Sequence, residues 1–477
     1  MKHRAYVPLS CARALALFAR NGVVAFVLLA VCVLTQARNE SADPSPRACR
    51  IDSIDFEGWK AEQISNEWLK LIVVPQLGGR LMQVFFAGHP FLFVNPKYKG
   101  RYFPPSEGAA KRRWFNYGGD KIWPMPEGSQ DEHHWPGPIS DELDDGIYAS
   151  QVHSAGSRCS LGLEGPPDER TGLQYSREIS IGRDSPEIAF HAVMKNASGH
   201  RIQWSMQSVT QYDTADLQTI GSYNKNFWAF TPVNRQSSYL NGYYVRSGLS
   251  DDPSFSVKNE LFTLHWLYLQ SEVWIDSPGG WLAVADGSSQ FALVERFLFH
   301  AGAEYPDKAT VIFYKNGPVV DIDNRGMPFI RTSADDAPYY MEAELNSPIV
   351  GLEPGGSYAM DTKWYPTRMG NRIVTVTDAG AITEPLTISS TGEGVRIAVS
   401  FGVFFPGKLT ANFYDGNQGE VGVVFLQTVN PSELISLDRD IKIPSLTRRV
   451  SLHLIDAQGI DRGSLGEAQL TRSSGGA

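Results

Sequence analysis

The chain has 477 residues, 42% hydrophobic and 20% charged, enough for two or three globular domains and unlike a disordered or membrane-bundle composition. Its formal charge is −9; a leader described below holds four of the 43 basic residues and no acid, so without it 39 basic residues face 52 acidic ones, a charge of −13. Lys111-Arg112-Arg113 is the one basic run that stands out, so nucleic acid is not expected as a partner.

Taken in chain order, residues 1–37 read as an address. Lys2, Arg4, Arg13 and Arg20 lead into an apolar run, Gly22 to Leu34, too short for a confident membrane span and fitting a secretory signal or an uncleaved anchor. Export to the periplasm or cell envelope is the expectation, with membrane contact only through this segment if it is retained. Residues 38–49 form a polar linker containing two prolines. Of the four cysteines, Cys11 and Cys32 fall in the leader; Cys49 and Cys159 remain, either as a disulfide or as two thiols. With no CxxC and no zinc-type Cys/His spacing, no metal or other cofactor is expected.

From residue 50 to 370 the text is strand-like. Leu69 to Val74 and Leu81 to Phe86 flank a turn at Gly78-Gly79, and Tyr175 to Ile181 alternates cleanly. Further strands are expected over 187–194, 202–206, 281–285 and 291–297. Residues 98–146 differ: they are rich in Pro, Gly, Trp, His and acids, lack periodicity, and read as long functional loops. From 371 to 477 come more short strands at immunoglobulin-like size, ending in a frayed Ser473–Ala477.

Three stretches carry a resemblance to the galactose mutarotase-like (aldose 1-epimerase) superfamily: Val73 to Leu81 with its Gly-Gly-Arg step, Asn116 to Pro126 with Gly-Gly-Asp-Lys-Ile-Trp-Pro, and Tyr340 to Gly355 with its paired glutamates and Leu-Glu-Pro-Gly. The match covers about residues 55–368 and is similar to an uncharacterised bacterial branch. It implies an all-β fold, a large antiparallel β-supersandwich, here followed by a small β-sandwich. It also implies a mono- or oligosaccharide partner and ring opening between a carboxylate base and a proton donor.

Carried over residue by residue, the base is Glu344, with Glu342 as rival, since i and i+2 on a strand face the same way. The resemblance calls for a histidine acid where this chain has Gln207-Ser-Val-Thr-Gln-Tyr212, and Gln cannot supply a proton as an acid. Asp120, Lys121, His133 and His134 are the substitutes, of which Asp120 and His134 are taken as catalytic candidates. Arg80, Asn116, Lys121, Trp123, Trp135 and Gln211 are the binding candidates: indoles to stack on a pyranose, the rest to hydrogen-bond its hydroxyls. A sheet ion pair for Arg80, and a packed loop for Trp123 and Trp135, are the structural alternatives. If Arg80 and Lys121 converge, an acidic sugar is expected. A carbohydrate epimerase, or a binding or scaffold protein that kept the fold without the acid, are the two functional readings.

Overall fold

Alternation along the strands decides the architecture. In Leu173–Gly182 and Ile188–Asn196 every second side chain is buried, and such strands stack into sheets with one face inward. The computed structural model describes residues 48–107, 113–128, 133–322, 325, 327–331, 338–370, 372–391 and 394–470. The leader, most of the linker, Lys111-Arg112 and the Ser473–Ala477 tail lie outside the described residues.

Among the described residues there are two large antiparallel sheets, of 12 and 10 strands. The centre of the first runs in the order Leu69–Val74, Arg80–Phe86, Asp120–Met125, Ile202–Asp213, Tyr340–Asn346, Val311–Lys315, Ser271–Ile275, Tyr243–Ser247. The second includes Leu173–Gly182, Ile188–Asn196, Ser357–Arg368, Phe291–Phe297 and Trp281–Asp286. A continuous apolar core, including Leu71, Val84, Ile179, Phe190, Leu293 and Trp364, packs the two sheets face to face. The expected hairpins across Gly78-Gly79 and between Trp281–Asp286 and Phe291–Phe297 are present.

Two four-stranded sheets follow residue 374. Their core includes Val399, Phe401, Leu409, Phe413 and Leu452, and continues into Phe230, Trp281, Ala283, Val294 and Tyr365 of the ten-stranded sheet. The outward face of that sheet is therefore apolar because a second sandwich covers it, and Ala48–Ala477 form one compact unit.

The aperiodic 98–146 stretch needs a correction. It contains a central strand, Asp120–Met125, buried along its whole length, and a short helix, Glu142–Asp145, capped by the Asp141 carboxylate. A strand buried on both faces has no alternation to read, and Pro124 argues locally against one.

Cys49 and Cys159 are bonded, with Cα atoms 5.8 Å apart, closing a separation of 110 residues. Both are fully buried, and Cys49 also exchanges backbone hydrogen bonds with Gly156. Cys159→Ala is expected to lower unfolding stability by about 2–5 kcal/mol. A denaturation midpoint unchanged from wild type, measured without reductant, would contradict that.

Candidate functional site

The site begins with a turn that only glycine can make. Gly118 and Gly119 have φ of 96° and 74°. A Cβ on Gly118 would sit 2.1 Å from the Phe93 carbonyl oxygen, and one on Gly119 would sit 2.7 Å from that of Leu81. The close approach is used: Gly119 N–H donates to Phe93 O at 2.8 Å, and Gln211 N–H donates to Gly119 O at 3.0 Å. The turn thereby delivers Asp120–Met125 to the edge of Ile202–Asp213, with Lys121 opposite Val209 and Trp123 opposite Gln207. On the far side of Ile202–Asp213 lies Tyr340–Asn346, with Glu344 opposite Val209 and Glu342 opposite Gln211. The Gly-Gly-Asp-Lys-Ile-Trp segment and the paired glutamates are thus one strand apart.

Between them opens a cavity of about 220 Å³ on the face of the sheet turned away from the main core. Trp114 and Trp123 wall one part, Tyr314, Tyr340 and Ile312 another, and four carboxyl groups line it: Glu127, Glu272, Glu342 and Glu344. Lys121 Nζ lies 3.4 Å from Glu342 Oε1 and 4.3 Å from the centre of the Trp123 ring. Gln211 Nε2 donates to Glu342 Oε1 at 2.5 Å, and Gln207 Nε2 donates to Glu344 Oε2 at 2.6 Å. Each carboxyl of the pair therefore has its own amide.

The electrostatics separate the two. Burial first, then the charges of Glu342, Glu272 and Glu127, push Glu344 well above the usual carboxylate range, against a weaker pull from Lys121. Glu344 is thus the member of the pair whose protonated form the cavity favours, whereas Glu342 lies against the Lys121 ammonium. Glu127 is pushed to about 8 by burial and then by Glu272 and Glu342. Burial lowers the Lys121 ammonium from its ordinary 10.5, with Glu342 the largest opposing influence.

Of the residues singled out from sequence, Trp123 and Glu344 line this cavity, and Lys121 and Gln211 reach it through Glu342. The others do other work. Arg80 is fully buried; its guanidinium donates to Asp144 Oδ1 at 2.7 Å and lies 3.6 Å from Asp145 Oδ1. Arg80 is therefore held in an ion pair, but with the short helix Glu142–Asp145 rather than with a sheet neighbour, and it does not line the cavity. The condition attached to an acidic sugar, Arg80 and Lys121 both facing one cleft, is therefore not met at this cavity. Asp120 is also corrected: alternation turns it inward, where it pairs with Arg177 and accepts hydrogen bonds from Ser208 at 3.3 Å and Thr210 at 3.2 Å. His134 does not line the cavity, and His133 lines a separate groove with Arg170, His200 and Arg201. Asn116 braces the turn, its Oδ1 accepting from Gly118 N–H at 3.2 Å. Trp135 is fully buried, donates to Asp141 Oδ2 at 2.7 Å, and packs 5.0 Å behind the Trp123 ring.

Trp114, Gln207, Glu127, Glu272, Tyr314 and Tyr340 were missed as site residues. Glu272 and Tyr314 could have been found by alternation, since they fall opposite each other and Tyr314 opposite Glu342. Trp114 and Glu127 sit in or beside loops with no such signal. Among the described residues no group of three or more His, Cys, Asp or Glu side chains is arranged to hold a metal ion.

Several solved structures similar to this chain are described as galactose mutarotase-like or galactose mutarotase related proteins. A galactose mutarotase-like protein from Clostridium acetobutylicum is 10% identical, with 68% of this chain and 99% of that one covered and a TM-score of 0.42. A galactose mutarotase related enzyme from Lactobacillus acidophilus is 10% identical, covering 66% and 100% at a TM-score of 0.39. A TPR-domain containing protein from Parabacteroides distasonis is 16% identical over 65% of this chain, with a TM-score of 0.41; the match spans 47% of that protein's length. No family model matches the sequence, and no curated protein matches it.

Two outcomes follow from this geometry. Asp144→Ala leaves the Arg80 charge buried without its principal partner, and is expected to cost about 3–5 kcal/mol of stability; an unchanged thermal midpoint would contradict it. Glu127 is protonated in the folded chain up to about pH 8 but ionises near 4.5 when unfolded. Above pH 4.5 the unfolded state therefore holds fewer protons, and this group's contribution to stability falls as pH rises to about 8. Glu127→Gln is expected to flatten that fall, as read from unfolding midpoints across the interval.

Proposed function

We propose that the chain binds a single neutral sugar ring in the carboxyl-lined cavity and opens and recloses it by acid/base exchange, as an aldose 1-epimerase does. The observation that carries this reading is the Glu342/Glu344 pair. Two carboxyls project side by side from one strand beneath two indoles, one against Lys121 and the other pushed well above the usual carboxylate range. At about 220 Å³ the cavity is smaller than the roughly 300–1,000 Å³ of sites for drug-sized ligands, which suits one ring. The Trp114 and Trp123 faces supply apolar area for the C–H face of a pyranose, and Gln207 and the glutamates supply hydrogen bonds to hydroxyls.

In this reading the Glu342 carboxylate takes the proton from the anomeric hydroxyl. The C1–O1 bond becomes a carbonyl as the C1–O5 bond breaks, and Glu344 gives its proton to O5. Rotation about C1–C2 presents the other carbonyl face. On closure Glu344 takes the O5 proton back, O5 attacks C1, and Glu342 returns its proton to O1, so both residues end as they began. Glu344 is thus the acid in opening and the base in closure, which reverses the role that resemblance alone assigns it. The absent histidine is replaced by a carboxyl whose environment favours its protonated form. The leader's basic lead and apolar run support export, so we place this chemistry in the periplasm or envelope.

A second reading, a carbohydrate-binding or scaffold protein without catalysis, is favoured by one observation. Both members of the pair stem from one strand and one wall, and no histidine lines the cavity. Exchange NMR on a panel of aldoses separates the two. Catalysis predicts that Glu344→Gln and Glu342→Gln each slow anomer exchange by about 10²–10⁴-fold. Saturable sugar binding with no acceleration of exchange by the wild-type chain would select the binder.

A further inference from the structure

The cavity does not stand alone on its sheet face. Cross-strand pairing puts Lys121, Val209, Glu344, Ile312, Trp274 and Tyr244 in one continuous row, each opposite the next. Directly opposed residues of antiparallel strands share a face, so Tyr244 looks out on the same side as Glu344, three strands further along. At the usual strand spacing that is about 14 Å.

At the far end of the row there is a second hollow of about 520 Å³, lined by Ser238, Tyr239, Tyr244, Arg246, Asp307 and Lys308. The Tyr239 and Tyr244 rings stack with centroids 6.0 Å apart, and Tyr244 is 47% exposed. Arg246 lies over the Trp274 ring at 5.6 Å, and its charge opposes the upward shifts of Glu127 and Glu272 in the first cavity. The two hollows are therefore electrostatic neighbours on a common wall. The rim is held in unusual backbone: Asp307 and Lys308 are consecutive non-glycine residues with φ of 44° and 68°. The Tyr239 hydroxyl donates to the Asp307 carbonyl, and Lys308 Nζ donates to Ser238 at 3.1 Å. An exposed Tyr244 ring backed by the partly buried Tyr239 is a surface for the flat face of a polyol ring.

We infer that the substrate is an oligosaccharide presented reducing end first, with its free-anomer unit in the carboxyl cavity and its following units running over Trp274 and Arg246 onto the Tyr239–Tyr244 ledge. This rests on the sugar-ring reading above and gives that site its substrate class. Orientation follows from chemistry: only the unit with a free anomeric hydroxyl can open, so the rest of the chain must leave the cavity, and the row of facing residues provides one direction for it.

Calorimetric titration of the full chain with glucose and galactose, and with the maltose and cellobiose series up to trisaccharides, tests this. In at least one series the trisaccharide is expected to bind about tenfold tighter than its monosaccharide. That ratio should fall towards one in Tyr244→Ala and be restored in Tyr244→Trp, which keeps an aromatic face. A monosaccharide that binds while added units bring no gain, or a gain that survives Tyr244→Ala, overturns the ledge and leaves the single-ring site standing. Failure of every mono- and oligosaccharide to bind overturns both.

Discussion

The Asp144 carboxylate is the interaction on which the site's geometry rests. One oxygen accepts from both Arg80 and the Trp123 indole at 2.7 Å, and the other accepts from the Trp114 indole at 2.9 Å. A single buried anion thus orients both aromatic walls of the cavity while neutralising a guanidinium that has no access to water. Its own position is set by the Asp141 cap, whose Oδ1 accepts from Asp144 N–H at 2.9 Å. Buried charges are tolerated when paired and hydrogen-bonded, and here one carboxylate is shared among three donors while Arg80 Nε and the Asp145 oxygens have no hydrogen-bond partner. Arg80 accordingly acts on the cavity as a positioning residue, through Asp144 and the indoles.

Strand alternation then keeps two polar systems apart. On the outward face of Asp120–Met125, Ile202–Asp213 and Tyr340–Asn346 stand Lys121, Gln207, Gln211, Glu342 and Glu344. On the inward face of the first two strands stand Asp120, Ser208, Thr210 and Tyr212, which meet Arg177 and Glu295 from the opposing sheet. Tyr212 donates to Glu295 at 2.6 Å, and burial pushes Glu295 to about 8. This inward network ties the two sheets together through a few directional bonds inside an otherwise apolar core. The outward set is left with carboxyls facing a small hollow, where burial and then the crowding of like charge push Glu344 well above the usual carboxylate range.

Much of this was legible residue by residue. Gly78-Gly79 between two apolar runs marked a tight turn, and the structure shows both residues in the left-handed region. The i, i+2 spacing of Glu342 and Glu344 was sufficient to put them on one face, because a strand has period two whatever surrounds it. From sequence, Cys49 and Cys159 left bond and thiols equally open, and their proximity in the fold decided for the bond.

Patterns of period and type thus determined, from sequence, that the chain is built of strands, which side chains share a face, and which turns demand glycine, because these are properties of the local backbone. Tertiary structure alone decided that Arg80 and Asp120 are consumed by buried partners, that Trp135 packs behind Trp123, and that His134 stays off the cavity. It also decided that Glu127 and Glu272 come to crowd Glu344. Each of these depends on which distant charge arrives at a given point and on how much water is removed there, and neither quantity is encoded in any short stretch of sequence.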